Sequence, residues 1–372
     1  MDTDTKNFDF AAFQGALQGK KILVIGEIML DRYISGSVTR LAPEGRAPVL
    51  NHEKTENMPG GAGNVLANLA ALQIDCAVIS VVGADAHADI VRRFVTDYTG
   101  DDGGLVIADD RPTITKTRLS QAGDLTGSDL LLRLDDEKTG ALPQDVQTRL
   151  LQKAESIIPD VHAVILSDYG KGVLSDDMAQ RFIECAARFN VPVLVDPKGT
   201  DYGRYKGAAI VTPNLDELAR VTGDTVSPDE DGITAVARRI IQAAGIKAVL
   251  VTRSEKGMSF VTDKTADHFQ ASAKEVRQVA GAGDTVIGTL ALGVAAGLDV
   301  TQAVWLAERA AGVAVAKDDT ATIGWEEWRE GRAAAIGETA ERTPTTAWDG
   351  AKAQITSWQR QGLKVGFTNG CF

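Results

Sequence analysis

Arg277-Gln278-Val279-Ala280-Gly281-Ala282-Gly283-Asp284-Thr285 runs directly into Val286-Ile287-Gly288-Thr289-Leu290-Ala291-Leu292, and the reading of this junction decides how the rest of the chain is read. Glycine has no Cβ, so Gly281 and Gly283 permit a tight turn and the close approach of a ligand to the backbone. The apolar run predicts a helix over about 284–297. Its first N–H groups have no intrahelical partner and its dipole is positive at that end, which makes the junction an anion site. Yet a carboxylate, Asp284, stands in the same place. Two readings are open. In one, the amides hold charge on a transferring phosphoryl group while Asp284 takes a proton from the attacking hydroxyl. In the other, Asp284 only caps the helix.

The totals narrow the classes available. A chain of 372 residues, 44% hydrophobic and 24% charged, can bury a large core in one or two domains. A formal charge of -12 argues against nucleic acid or an anionic membrane as partner, so local donors must hold any anionic ligand. Cys76, Cys185 and Cys371 are far apart and odd in number, which supports neither a disulfide framework nor a zinc site. His52, His87, His162 and His268 form no ligand pattern. No apolar run reaches spanning length and the N-terminus is not a signal peptide, so the expected location is cytoplasmic.

Read in order, residues 1–20 form a polar lead-in with a short amphipathic piece, and Lys21–Gly26 is a buried-type strand with acids just beyond it. Residues 33–57 alternate irregularly and leave the main sheet. Pro59-Gly60-Gly61-Ala62-Gly63-Asn64 opens a second glycine-rich helix start, with no strand predicted directly ahead of it; it serves either close packing or a ligand. Residues 105–107, 113–119 and 129–135 read as antiparallel ribbons. Lys116 and Arg118 share one face there, either solvated or turned to an anionic substrate. From 143 the pattern is regular α/β, with strands at 163–168, 191–196, 208–212 and 248–252 and helices at about 143–157, 176–189 and 230–244. Right-handed crossovers place the polar ends of those strands on one edge of the sheet. Asp31, Asn64, Asn214, Glu217, Thr252, Ser254 and Gly281–Asp284 converge there. That set suits phosphoryl transfer from a nucleotide to a sugar hydroxyl, although no Walker loop or protein-kinase signature is present.

Three motifs carry a family resemblance. Gly281-Ala-Gly-Asp284 resembles the C-terminal signature of ribokinase-like, PfkB-type carbohydrate kinases. Pro59–Asn64 resembles their N-terminal glycine motif and Asn214-Leu-Asp-Glu217 their N-x-x-E motif, in order across about residues 21–325. The resemblance implies an α/β fold: three α/β/α layers, a mostly parallel central sheet and a small β lid from about 33–50 and 105–135. Met29–Tyr33, Pro112–Lys116, Leu166–Tyr169, Asp196–Asp201, Thr212–Leu215 and Val251–Glu255 resemble the branch that phosphorylates heptose 7-phosphate on its anomeric C1 hydroxyl. It implies ATP and Mg2+ as cofactors, together with a monovalent cation. By the same resemblance Asp284 is the base and Gly281, Ala282 and Gly283 form the anion hole. Asp31, Gly61 and Asn64 hold sugar hydroxyls, and Asn214 and Glu217 organise magnesium and phosphate. Lys198, Asn214, Thr252, Ser254 and Gly257 line the nucleotide side. Lys116 and Arg118, on the lid, are the candidates for the 7-phosphate.

The chain also departs from the family. Gln278 and Ala280 replace an acid and a hydroxyl ahead of the glycine loop, Glu308 stands where an asparagine is usual near the nucleotide, and Pro43–Val49 carries an apparent extra residue. Two alternatives follow: a ribokinase-like kinase for another sugar or a nucleoside, and a non-catalytic sugar-phosphate sensor. Lid strands with open edges predict a homodimer. Residues 326–363 read as a helical linker outside the first core. Residues 364–372 read as the first strand of a nucleotidyltransferase-like domain, without the H-x-G-H motif needed for adenylyl transfer.

Overall fold

Lys21–Gly26 (β1) is apolar throughout because both its faces are covered: Ile22 and Val24 enter one hydrophobic core, Leu23 and Ile25 another on the opposite side. The computed structural model describes residues 8–121, 130–175, 177–223, 226–272, 276–277, 279–317 and 322–331. Gln278, most of the expected linker and the expected final strand at 364–372 lie outside the described residues.

A short helix, Phe10–Ala16 (α1), precedes β1, with Asp9 as its cap. Ile28–Leu41 (β2) and Pro48–Gly61 (β3) form a long antiparallel pair that leaves the main sheet. Ala62–Ala71 (α2), Asp75–Val82 (β4), Ala86–Thr99 (α3) and Leu105–Ile107 (β5) follow. Thr115–Gln121 (β6) and Leu130–Asp136 (β7) complete a four-stranded lid in the order β3-β2-β6-β7. The regular half comprises Gln144–Ile157 (α4), Ala163–Ser167 (β8), Met178–Arg188 (α5), Val193–Asp196 (β9), Ile210–Val211 (β10), Leu215–Thr222 (α6), Glu230–Ala244 (α7) and Ala248–Thr252 (β11). A hairpin of Met258–Thr262 (β12) and Ala266–Phe269 (β13) leads to Ala282–Ala295 (α8), Val300–Ala314 (α9) and Trp325–Glu330 (α10).

The main sheet has nine strands in the order β13-β12-β11-β10-β9-β8-β1-β4-β5. It is parallel from β11 to β5, and β12 and β13 add antiparallel. The core residues of α1, α2, α3, α8, α9 and α10 cover one face and those of α4, α5, α6 and α7 the other. This is the ribokinase-like three-layer arrangement. Building outward through β4 and β5 and then returning to lay β8 beside β1 reverses the strand order at β1. A crevice opens at the carboxyl ends on either side of such a reversal. Among the described residues no helix is long and apolar enough to cross a membrane.

Several expectations change here. Residues 33–57 leave the main sheet as expected, but as parts of the long strands β2 and β3 on either side of 42–47; they look irregular because register shifts at Ser35/Gly36 and Val38/Arg40 break the alternation. β3 runs straight into the glycine-rich helix start; its Pro59, which has no N–H to donate, is tolerated because β3 is an edge strand. β5 is not an antiparallel ribbon but a parallel edge strand beside β4, too short for its period to decide. Helix α6 was not anticipated. Nor is Trp325–Glu330 outside the core: Trp328 is fully buried, stacked on Trp325 and edge-on to Phe10 and Phe13.

Candidate active site

Helix α8 is buried on almost every side because it lies between the sheet, α2 and α9. Its N-terminus is the end left open, and it is lined by cavities on two sides. Gly281 is its N-cap, in the left-handed region at φ 80° that favours glycine, and no side chain caps the helix. Asp284 is thus not the cap: it lies in the first turn and its carboxylate points elsewhere. Oδ2 accepts from Asn64 Nδ2 at 2.7 Å, and Oδ1 accepts from the Tyr169 hydroxyl at 3.1 Å. Burial pushes the Asp284 carboxyl up to about 6; the two hydrogen bonds oppose that shift and the charge of Asp31 adds to it.

Two cavities meet at this helix end. One, of roughly 700 Å³, is lined by Asp31, Gly61, Asn64, Lys116, Arg118, Gly281 and Asp284, so the residues expected on the sugar side come together. The other, of roughly 610 Å³, is lined by Asn214, Thr252, Ser254, Gly257, Ala282 and Gly283. Lys198 lines neither; its Nζ lies 3.7 Å from Glu217 Oε1. Gly283 and Asp284 stand in the first turn of α8, the end at which the helix's N–H dipoles point outward. The Ala282 N–H reaches the Val279 carbonyl at 3.3 Å. A Cβ on Gly283 would meet open space, so the loop leaves room for a ligand against its backbone.

On the sugar side, Gly61 has φ 57°, and a Cβ there would come within 2.3 Å of the Glu27 carbonyl. That close approach lets β3 turn abruptly into α2 and sets Asn64 against Asp284. The expected phosphate cations already have partners. Lys116 lies 3.3 Å from Asp135 and 3.4 Å from Glu137. Arg118 is 2.5 Å from Asp31 and stacks over the Tyr33 ring. An incoming phosphate has to share or displace these carboxylates. Arg133, which also lines the cavity, was not singled out from the sequence.

On the other side, Asn214 and Glu217 form a reciprocal capping box at the start of α6: Asn214 Oδ1 accepts from the Glu217 N–H at 2.9 Å, and Glu217 Oε2 accepts from the Asn214 N–H at 3.1 Å. Ser254 holds φ 51°, unusual for a residue with a Cβ. Glu308, 6% exposed, lines this cavity and accepts from the Ser272 N–H at 2.7 Å, and burial pushes its carboxyl up. Asp196, at the end of β9, is pushed well up by burial and by the charges of Asp284 and Glu217. Mg2+ is commonly held through one or two carboxylates plus substrate phosphates, so a complete protein cage is not required. Asp196 and Glu217, carboxylates whose charges act on one another, suit that mode, and among the described residues no group of three or more His, Cys, Asp or Glu is gathered as a metal cage.

Sequence reasoning missed Tyr169, Asp196 and Glu27 as site residues. Glu27 is buried and pushed up to about 7 by burial and by Asp168; it accepts from the N–H groups of Tyr169 at 2.8 Å and Val173 at 2.9 Å. Their shared signal was an acid or tyrosine just past an apolar strand.

The comparisons agree with this geometry. Residues 19–328 match the model of the pfkB family carbohydrate kinase. The bifunctional protein HldE of Paramagnetospirillum magneticum is 42% identical over 362 residues, covering 96% of this chain and 72% of that protein. HldE of Caulobacter vibrioides is 40% identical over 358 residues, covering 96% and 72%. Among solved structures, a ribokinase of Arabidopsis thaliana complexed with ribose and ATP superposes with a TM-score of 0.63 at 18% identity, covering 84% of this chain and 98% of that one. Phosphofructokinase-2 of Escherichia coli in complex with potassium gives 0.65 at 17%, covering 84% and 97%.

Proposed function

Because this chain belongs to the pfkB family of carbohydrate kinases, we propose that it transfers the γ-phosphoryl group of ATP to the C1 hydroxyl of D-glycero-β-D-manno-heptose 7-phosphate. The product, heptose 1,7-bisphosphate, feeds ADP-heptose and lipopolysaccharide core synthesis. One observation carries the reading: a single helix N-terminus separates two cavities, with Asp284 facing one and the Ala282–Gly283 backbone facing the other. A sugar hydroxyl in the first cavity reaches a γ-phosphate in the second across the first turn of α8.

The proposed roles follow from that placement. Asp31, Gly61 and Asn64 position the sugar, and Lys116, Arg118 and Arg133 face its 7-phosphate. Asp284 accepts the C1 hydroxyl proton as the oxygen attacks phosphorus. The Gly283 and neighbouring amides, with Gly281 making the turn, hold charge on the equatorial oxygens, an effect on the order of a hundredfold or more in rate per donor. Thr252, Ser254, Gly257 and Asn214 line the nucleotide, with Lys198 at its phosphate end. Glu217 and Asp196 would hold Mg2+, which neutralises phosphate charge when bound. A monovalent cation at the loop before α8 belongs to the same proposal. The kinase unit reaches beyond the expected 21–325 to take in α1 and α10, whose Phe13 and Trp328 share its core, and two copies associate through the lid, where Leu132 and Leu134 of edge strand β7 are 59% and 60% exposed.

The test is ADP release from ATP with heptose 7-phosphate, fructose 6-phosphate and ribose in parallel. The proposal expects heptose 7-phosphate to give the highest kcat/KM. A preference for an unphosphorylated sugar would overturn the substrate and keep the kinase.

A further inference from the structure

Asp284 does not stand alone in the crevice: its two carboxylate oxygens are each claimed by a neutral donor, one from α2 and one from the segment after β8. The second donor is itself tied down. The Tyr169 N–H donates to Glu27 Oε2 at 2.8 Å, while Glu27 Oε1 accepts from the Val173 N–H at 2.9 Å. Glu27 is 1% exposed, so it grips the backbone on both sides of the Gly170–Gly172 turn from inside the protein. We infer that Tyr169, anchored through Glu27, is a positioning residue that aims the Asp284 carboxylate into the sugar cavity and keeps it in its proton-accepting form. This rests on the reading of Asp284 as the base.

The physical argument is one of competing effects. Burial favours the neutral acid, and so does the negative charge of Asp31. The charged groups facing Asp284 are Asp31 on β2, paired with Arg118 on β6, and Asp196 at the end of β9; α2 presents Asn64 and Asn68, both uncharged. The carboxylate is therefore held ionised chiefly by hydrogen bonds. A donor to a carboxylate stabilises the charged form and lowers the carboxyl pKa. The Tyr169 hydroxyl is suited to remain a donor, because burial and the nearby carboxylates push its own ionisation well above the usual range. Each carboxylate oxygen has more than one lone pair, so the Tyr169 bond and an incoming sugar hydroxyl can be accepted together. On transfer, the sugar O–H bond breaks, its proton goes to Asp284, and the oxygen's electron pair forms the bond to phosphorus as the ADP oxygen leaves.

Tyr169→Phe removes one oxygen and leaves the ring to pack. The Asp284 carboxyl titration is followed by 13C NMR in the ligand-free protein and assigned by its loss in Asp284→Asn. It should move upward by about one pH unit in Tyr169→Phe. The acid limb of kcat/KM should move with it, so that the fractional loss shrinks as pH rises. A structural role alone would lower the rate equally at every pH; that result, or an unmoved Asp284 titration, overturns the inference. The two readings separate cleanly. If the titration moves but the wild type phosphorylates no sugar, the kinase reading fails and takes the catalytic role of Tyr169 with it, leaving only its hold on the protonation of Asp284. If phosphorylation is normal and the titration stays put, the inference fails and the kinase reading stands.

Discussion

At the scale of single residues, the balance at Asp284 sets both proposed catalysis and stability. Asp284→Asn keeps the shape and removes the proton acceptor, so turnover is expected to fall by orders of magnitude while sugar and nucleotide binding by calorimetry persist. The same variant should be more stable. The carboxyl pKa rises from 3.8 to about 6 on folding, so the folded state binds this proton more tightly. That stabilisation is full below pH 3.8 and is lost as pH rises through about 6. Asparagine has no charge to bury, so the variant's unfolding free energy should exceed the wild type's by at most about 3 kcal/mol at about pH 8 and match it near about pH 4, read from chemical denaturation at the two pH values. Glu308 gives a second residue-scale prediction. Glu308→Gln keeps an acceptor for the Ser272 N–H and removes a buried charge from the cavity proposed for ATP. The KM for ATP is expected to fall about threefold to tenfold near neutral pH while the KM for the sugar holds; an unchanged or higher KM for ATP would count against it.

At the scale of elements, the glycine-rich starts of α2 and α8 were legible because tight turns demand a residue type that stands out in a sequence. Asp284 was legible because it follows the second of these glycine turns directly. What α8 does with its neighbours was not. Gly293 sits where a Cβ would come within 2.6 Å of the Ala303 Cβ, so α8 and α9 touch backbone to side chain. Gly293→Ala is expected to cost about 1–3 kcal/mol through overpacking, read as a lower denaturant midpoint with an unchanged m-value. Helix α6 begins at an N-x-x-E stretch that serves both ligand and backbone, so the pattern does not by itself separate a site from a helix start. The structure has Asn214 and Glu217 bonded to each other's N–H groups, so helix start and candidate site are the same residues.

At the scale of the whole molecule, two predictions concern how distant segments close the fold. Trp328 packs with Phe10 and Phe13, joining α1 to α10 across the face that carries α8 and α9. Trp328→Ala is expected to cost about 3–5 kcal/mol, measured by chemical denaturation. The proposed lid pairing predicts that Leu132→Lys with Leu134→Lys shifts the protein toward monomer in light scattering; a wild type already monomeric at micromolar concentration would remove that proposal. The sequence by itself determined the layered α/β class, the two glycine-rich helix starts and Asp284 as a candidate base, because periodicity and glycine or acid placement are local properties of a chain. Only the tertiary structure decided that Tyr169 and Asn64 hold that base, that Glu27 anchors the tyrosine from the interior, and that the lid cations already sit against carboxylates. Those contacts join residues more than a hundred positions apart, or rest on strand order and register, and no local pattern encodes which distant side chain a fold will bring to a given oxygen.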